Sequence, residues 1–439
     1  MTYGWYGEKE KERTGLRMKV LWICNLMPAF IAKALHQPAT NKEGWVMGTV
    51  SQVVKNRNLT LGIAYPVSEE EPVHGTVDDI AYFGFYEDSS HPEEYDKALE
   101  SFLGLICEEF QPDVIHCFGT EYPHTLAVLR IKEWKSRVLV HLQGIMDIYA
   151  SLYYAGIPED VSERATLRDM LKKDSIWRQK EKYEKRGQNE IEVLRLAEYV
   201  CGRTEFDKRY LEDINKSSTY YTINETLRQE FYGPRWELEE CDRHTIFVAQ
   251  GNYPIKGIHY MITALAKIRE TYSDVHLYVS GDNVTAYRTL KDKIKISSYG
   301  KYLRDLIHEH RLEDNVTFLG QLTSQEMVER YLRTHVYVIP SVIENSPNSL
   351  GEAMLLGMPC VAARVGGIPS LAKEDEEILM YAPEDTDVLA EAVKKLFRDE
   401  KLAEELGQAA HARAALTHDA QANYKMLCWV YDAIAQNNK

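Results

Sequence analysis

The first half of the chain alternates short, nearly continuous apolar runs with stretches of helical periodicity. The runs that read as buried strands are Met18–Asn25, Leu59–Ala64, Val114–Phe118, Val138–Gln143 and Tyr199–Gly202. Strands that are apolar on both faces and separated by helices are typical of a parallel sheet covered on both sides. The pattern therefore predicts an α/β, doubly wound unit.

The second half repeats this scheme. Its predicted strands are Thr245–Gln250, His276–Gly281, Val316–Gly320, Val336–Pro340 and Pro359–Arg364, and a helix is predicted over Ser349–Leu356. Two consecutive units of this kind predict two Rossmann-like domains. Neither first strand is followed by G-x-G-x-x-G, which argues against a dinucleotide-dependent dehydrogenase.

The same pattern sets the expected domain boundaries along the chain of 439 residues. Residues 1–17 form a polar, mixed-charge leader that we expect to be disordered. Residues 18–230 form the first domain, 231–244 a linker with little periodicity, and 245–418 the second domain. A terminal helical segment covers residues 419–439.

Charge and composition exclude some classes of function. The formal net charge of −15 argues against a nucleic-acid partner and against broad adhesion to an anionic membrane. Basic residues from Lys172 to Arg186 alternate with glutamates, which favours a solvated helix face over a local basic patch. Seven cysteines without a C-x-x-C pair, and no apolar run long enough to cross a bilayer, favour a reducing, cytoplasmic location.

The most informative stretch runs from Ser341 to Pro369. Two carboxylates, Glu344 and Glu352, are separated by seven residues, and a turn-rich loop between them leads into a helix. A helix N-terminus favours an anion such as phosphate, while carboxylates accept hydrogen bonds from sugar hydroxyls. The alternative is structural: Ser349 and Glu352 also fit a capping box.

Taken together, these residues resemble the E-x7-E signature of family 4 retaining glycosyltransferases, as found in bacterial capsular and exopolysaccharide enzymes. The resemblance implies a GT-B fold, with a nucleotide-sugar in the second domain and an acceptor in the first. It further implies that the last helix crosses back onto the first domain. Leu427, Trp429, Val430 and Ile434 are the candidate docking face, although plain core packing explains them equally well.

Lys256 lies in the segment that follows the first strand of the second half and precedes Gly257, so it is well placed to reach a diphosphate and stabilise the leaving group. The resembling family has an arginine nearby, where this chain has Gly251-Asn252. Backbone amides of Ser349 and Leu350 are the expected substitutes. Gly44 matches a phosphate-facing glycine of the family, but Glu43 replaces its neighbour.

The remaining expected site residues lie at strand ends and in the loop between the two carboxylates. Gln143 stands where relatives have a histidine near the reacting carbon, and a glutamine cannot act as an acid or base near neutral pH. Arg203 begins an R-T-x-x-D element near the cleft, for which a capping box is the structural alternative. Gly320, Ser346 and Asn348 complete the expected donor contacts, with Gly251, Asn252, Ser349, Leu350, Gly44 and Glu352.

The sequence thus predicts a retaining, metal-independent hexosyltransferase in which Glu344, Lys256 and Gln143 carry the chemistry. No cofactor is expected, because the nucleotide-sugar, a UDP-sugar or GDP-sugar, is a substrate. The expected acceptor is a glycan or a lipid-linked glycan in bacterial polysaccharide assembly, which leaves open a peripheral association with the inner membrane face. The alternatives are a GT-B nucleotide-sugar epimerase and a nucleotide-binding scaffold without catalysis.

Overall fold

The computed structural model describes residues 17–38, 44–68, 73–287 and 289–438, so residues 1–16 of the predicted leader and Glu43 lie outside it. The strands are β1 (Met18–Ile23), β2 (Leu59–Val67), β3 (Val73–Val77), β4 (Ile80–Tyr86), β5 (Val114–Phe118), β6 (Val138–His141), β7 (Tyr199–Gly202), β8 (Thr219–Thr222), β9 (Asp242–Val248), β10 (His276–Val279), β11 (Val316–Phe318), β12 (Thr334–Ile339), β13 (Cys360–Ala363) and β14 (Leu379–Tyr381). The helices are α1 (Ala29–Ala34), α2 (Gly44–Asn56), α3 (Ala98–Phe110), α4 (Pro123–Arg130), α5 (Met146–Ser151), α6 (Glu159–Ser162), α7 (Leu167–Lys172), α8 (Ile176–Leu196), α9 (Glu205–Ile214), α10 (Ile258–Arg269), α11 (Leu290–Lys295), α12 (Ser298–Glu309), α13 (Ser324–Leu332), α14 (Asn348–Leu356), α15 (Ile368–Leu371), α16 (Thr386–Arg398), α17 (Glu400–Thr417) and α18 (Ala420–Asn437).

The first sheet has eight strands in the order β3-β4-β2-β1-β5-β6-β7-β8. Every pairing is parallel except that of β3 with β4. The central strands β1 and β5 are buried on both faces, as their apolar sequences require. The prediction of a doubly wound α/β unit is confirmed here.

The antiparallel β3–β4 hairpin is an element that the apolar pattern did not predict. Its two-residue turn is Asp78-Asp79, and both residues have positive φ, at 49° and 63°. Two left-handed residues match the twist of the flanking strands, and aspartate tolerates this conformation better than most residues. The two aspartates are therefore a hairpin turn at the sheet edge.

The second sheet has six parallel strands in the order β11-β10-β9-β12-β13-β14. The strand order reverses between β9 and β12, which are direct neighbours. In doubly wound sheets, ligands bind in the crevice outside the carboxyl ends of the strands at such a reversal. The loops that follow β9 and β12 carry Lys256 and Glu344.

Helix α18 packs on the first sheet, although it follows the second domain in the chain. Leu427, Val430, Tyr431 and Ile434 of this helix are buried in the same core as Val20 and Trp22. Trp429, which the sequence placed on this docking face, is instead 58% exposed. Its position does not fit the i, i+3, i+4, i+7 spacing of the four buried residues.

Among the described residues, no helix combines the length and the apolar character that crossing a membrane would need.

Candidate donor site and the domain interface

A cavity of about 200 Å³ opens at the carboxyl edge of the second sheet. It lies between the loop after β9, the loop after β12 and the N-terminus of α14. Its lining residues are Arg228, Val248, Ala249, Gln250, Lys256, Met327, Tyr337, Val338, Ile339, Pro340, Ser341, Glu344, Ser349 and Glu352. The cavity thus brings together four predicted residues, Lys256, Glu344, Ser349 and Glu352, with one that was not predicted, Arg228.

Lys256 and Glu344 form a buried ion pair on the wall of this cavity. Lys256 Nζ donates to Glu344 Oε1 at 2.6 Å, and Ser341 Oγ donates to the same oxygen at 2.7 Å. Burial lowers the pKa of Lys256, but the Glu344 carboxylate outweighs this and holds that pKa well above its usual value. The lysine therefore stays charged and available to an anionic ligand.

Three glycines allow the backbone to hold this pair. Gly257 has φ of +66°, and a Cβ there would lie 1.8 Å from the carbonyl oxygen of Pro340. Gly366 and Gly367 pack equally closely against the carbonyl oxygens of Glu344 and Asn345, at 2.0 and 1.9 Å from an added Cβ. Each of these contacts excludes a larger side chain, so the glycines set the position of the Glu344 loop.

Glu352 forms the second ion pair of the cavity, with Arg228. Glu352 Oε1 accepts from Arg228 Nη2 at 2.6 Å and from Nε at 3.0 Å. Burial raises the pKa of the Glu352 carboxyl above its usual value even though Arg228 acts in the opposite direction. The capping-box interpretation is wrong, because the N-cap of α14 is Pro347 and no side chain caps that helix.

Arg228 lies just before the predicted linker and also lines a second, larger cavity. Its Nη1 donates to Ser324 Oγ at 3.2 Å, and a Cβ at Gly44 would lie 2.4 Å from its Cδ. The second cavity measures about 380 Å³ and is lined by Leu26, Met27, Pro28, Ala29, Gly44, Val46, Met47, Gly48, Ser51, Gln52, Thr226, Arg228, Gln229, Glu230 and Ser324. Arg228 therefore lines both cavities, and Gly44 lies against it on the wall of the larger one.

A separate network at the domain interface uses four of the predicted site residues. Arg203 Nε donates to Ser346 Oγ at 3.0 Å, and Arg203 Nη1 donates to Asn348 Oδ1 at 2.8 Å. Glu225 accepts from Asn348 Nδ2 at 2.6 Å and from Gln143 Nε2 at 3.1 Å, and it lies 3.5 Å from Arg203. Arg203 and Glu225 are 8% and 3% exposed, so the charged pair at the centre of this network is buried.

This arrangement places Arg203, Gln143, Ser346 and Asn348 at the contact between domains, outside the lining of the donor cavity. Gln143 nevertheless remains close to the carboxylates, since its carbonyl oxygen accepts from Asn345, the residue after Glu344, at 3.1 Å. The R-T-x-x-D element has both of the roles considered for it. Arg203 lies at the contact between the domains, and Thr204 forms a capping box with Asp207.

The structure does not support the predicted role of the Leu350 amide. Leu350 is buried, and its N–H donates to the carbonyl oxygen of Pro347 at 3.1 Å, as in a tight first helical turn. Ser349, one residue earlier, lines the cavity.

Three predicted glycine and asparagine contacts lie near the sheet edge without lining the cavity. Gly251 packs so closely against Val279 that an added Cβ would lie 2.8 Å from its Cγ1. Asn252 follows it and is partly buried. Gly320 has φ of +77°, and its carbonyl oxygen accepts from Gly281 N at 2.9 Å.

The fold brings together three potential metal ligands that are scattered in the sequence. The ligand atoms of His116, His141 and Cys201 lie within 4.8 Å of one another. Burial raises the pKa of the Cys201 thiol well above its usual range, so the group stays a thiol. His116 Nδ1 lies 2.7 Å from the Tyr431 hydroxyl, which places the cluster in the packing between the sheet and α18.

Residues 229–413 match the family model described as Glycosyl transferases group 1. Among curated proteins, the chain is 30% identical to an exopolysaccharide phosphotransferase of Streptomyces coelicolor over 211 residues, covering 47% of this chain and 20% of that protein. It is 27% identical to a glycogen synthase of Mycobacterium tuberculosis over 184 residues, covering 42% and 41%. The chain thus spans less than half of the length of these relatives.

Solved structures resemble nearly the whole chain. Sucrose-phosphate synthase from Thermosynechococcus elongatus aligns with a TM-score of 0.70 at 16% identity, covering 95% of this chain and 99% of that one. HepE of Anabaena in complex with UDP-glucose aligns with a TM-score of 0.65 at 15% identity, covering 95% and 100%. The chain therefore has the GT-B fold, as the resemblance in its sequence implied.

Proposed function

We propose that this protein is a retaining glycosyltransferase that binds a nucleotide-sugar in the cavity between β9, β12 and α14. One observation carries the proposal: two carboxylates and two cations line the same cavity, and each carboxylate is paired with one cation. A nucleotide-sugar presents the complementary groups, since its diphosphate is an anion and its sugar and ribose hydroxyls are donors.

Binding would exchange partners within the cavity. The diphosphate would take the place of the carboxylates at Lys256 and Arg228, and the freed carboxylates would accept from hydroxyl groups. Glu352 would hold the ribose and Glu344 the sugar, in line with the resemblance. The two ion pairs hold the cations and carboxylates in place before the ligand arrives, so little reorganisation is needed.

Lys256 and Arg228 would stabilise the leaving diphosphate as the bond between sugar and phosphate breaks. Ser349, at the N-terminus of α14, adds the positive end of a helix dipole. This scheme assigns the stabilising charge to two side chains and requires neither a metal ion nor a cofactor. Gln143 would act as a neutral contact near the sugar, and retention follows from the resemblance.

The larger cavity is the place we propose for the acceptor. It shares Arg228 with the donor cavity, and its wall combines apolar residues of the first domain with the polar Ser51 and Gln52. A glycan, free or lipid-linked, in bacterial polysaccharide assembly fits this surface. The names of relatives support that class, since one is an exopolysaccharide phosphotransferase and a structural neighbour, WaaG, takes part in lipopolysaccharide biosynthesis.

A calorimetric titration with UDP, GDP, ADP and CMP tests the donor site. UDP is the first ligand to try, because the solved HepE complexes contain UDP and UDP-glucose. We expect one nucleotide to bind wild type and to lose at least tenfold in affinity with Lys256→Ala, while Lys373→Ala, at an exposed lysine, binds normally. Absence of binding by every nucleotide would remove the basis of the proposal.

The two rival functions give different results with the matching nucleotide-sugar. Sugar release or exchange without any acceptor would favour an epimerase. Tight nucleotide binding with no turnover over a broad acceptor panel would favour a scaffold.

A further inference from the structure

A group of exposed apolar side chains lies on α7 and on the segment that ends in α11. Its members are Leu167, Met170, Leu171, Tyr287, Leu290 and Ile294. Leu171 and Leu290 are 73% and 80% exposed. These six residues are half of the large apolar side chains that are exposed in the described part of the chain. Contiguous exposed apolar surface is typical of an interaction site.

Hydrogen bonds join the N-terminus of α7, in the first domain, to the turn between α11 and α12, in the second domain. Asp169, 1% exposed, accepts from Ser298 N at 2.8 Å and from Thr166 N at 3.0 Å. Thr166 Oγ1 donates to the carbonyl oxygen of Ile296 at 2.8 Å. Helices α7 and α11 are also direct neighbours, with Cα atoms within 8 Å of each other, so we treat their exposed apolar residues as one surface, the α7–α11 surface.

The charges on this surface are mainly positive, in a chain of net charge −15. Lys172, Lys173, Lys293 and Lys295 are exposed at the ends of the two helices. Two acids on these segments are engaged locally: Asp174 pairs with Arg168 at 2.7 Å, and Asp292 caps α11 through Thr289 N at 2.8 Å. Salt screens the interaction between exposed charges beyond about 10 Å. An anionic ligand at this surface therefore interacts with the lysines more strongly than with distant acidic residues.

We propose that the α7–α11 surface docks the protein on an anionic membrane. Leucine, isoleucine and methionine side chains would enter the boundary between headgroups and acyl chains, and the lysines would contact anionic headgroups. This pairing of apolar residues with flanking lysines fits a lipid surface, whereas an apolar protein groove would not require the lysines. The proposal does not depend on the donor cavity and goes beyond the proposed activity.

Co-sedimentation of the full chain with vesicles tests this surface. Vesicles of phosphatidylcholine alone are compared with equimolar phosphatidylcholine and phosphatidylglycerol. We expect binding to the anionic vesicles only, a loss of more than tenfold with Leu171→Ser/Leu290→Ser, and a loss of about fivefold per residue with Lys172→Gln/Lys173→Gln. The matched controls are Leu105→Ser/Leu416→Ser and Lys401→Gln, at equally exposed positions elsewhere.

Three outcomes would overturn the proposal. The first is equal binding to vesicles by the α7–α11 variants and their controls, and the second is no binding by wild type. The third is a wild-type dimer in light scattering, without lipid, that the leucine variant converts to a monomer, because a second copy of the chain would then cover the surface. Circular dichroism of each variant excludes a loss of fold as the cause.

Discussion

The donor cavity and the Arg203–Glu225 network both consist of basic side chains paired with carboxylates, but the two sets of ion pairs have different neighbours. In the cavity, Lys256–Glu344 and Arg228–Glu352 are close ion pairs whose side chains also face open space. At the interface, Arg203 and Glu225 are more than 3 Å apart, and amide and hydroxyl groups of both domains occupy their remaining positions. The same residue types therefore occur in both places, and the presence of open space beside the ion pairs distinguishes the candidate binding site from the structural contact.

This difference also explains the positions of Ser346 and Asn348. Both were expected in the donor site because they lie between Glu344 and Glu352, but their side chains point to Arg203. The loop thus has two faces, one that carries the carboxylates and one that fastens the domains. The following changes test whether the two networks differ in function as they differ in surroundings.

The largest effect on stability is expected from Arg203→Ala. Removing this side chain leaves Glu225 buried without its cation and deprives Ser346 and Asn348 of their donor, which costs about 3–5 kcal/mol of unfolding free energy. Urea unfolding followed by circular dichroism measures this loss. Arg243→Ala, which breaks an exposed pair with Glu400, is the control and should cost less than about 1 kcal/mol. Equal costs would show that the interface network is not structural.

Glu190 differs from the carboxylates of both networks, because it is buried and its hydrogen-bond donors are neutral groups rather than cations. It accepts from Thr120 Oγ1 at 2.5 Å and from Met146 N at 3.2 Å, and burial raises its pKa to about 7. A carboxyl whose pKa rises on folding stabilises the fold below its unfolded pKa of about 4.5 and loses that contribution as pH rises through 7. We expect the unfolding free energy of wild type to fall by about 3 kcal/mol from pH 5 to pH 8 relative to Glu190→Gln. Parallel pH profiles would contradict this.

Arg228→Gln should act on ligand binding more than on stability. It removes the second cation of the cavity, so the affinity for the matching nucleoside diphosphate should fall about ten- to a hundredfold, as expected for hydrogen bonds to charged groups. The affinity for the corresponding nucleoside should change much less. Calorimetry on wild type, Arg228→Gln and Arg228→Lys measures this, and the lysine variant should recover part of the loss. An equal loss for nucleoside and diphosphate would mean that Arg228 only neutralises Glu352.

The apolar pattern predicted ten of the parallel strands in the two sheets, most of which are buried on both faces. It missed β3, β4, β8 and β14 for separate reasons. The β3–β4 hairpin was not predicted because its turn, Asp78-Asp79, contains no glycine, although both residues have positive φ. Strand β8, Thr219–Thr222, is partly exposed, and β14 has only three residues. Edge strands carry weaker apolar signals than central ones.

The candidate site could be predicted only where its residues lie at strand ends near a recognisable motif. Lys256, Glu344 and Glu352 meet that condition. Arg228 does not, because it lies in a segment without periodicity and reaches Glu352 across 124 positions. A lone arginine in such a segment carries no signal in one sequence. The contact follows from how the domains join, which is set by packing rather than by local pattern.

Because α18 packs on the first sheet, the first domain cannot complete its fold until the end of the chain has been synthesised. Trp22 Nε1 donates to the Tyr431 hydroxyl at 2.9 Å, and these partners are 409 residues apart. At about 5–20 residues per second, a ribosome needs roughly 20–80 s between them. During that interval the apolar face of the first sheet lacks its cover, so the domain made first is completed last. Cells that make this protein would have to shield that face from aggregation until α18 emerges.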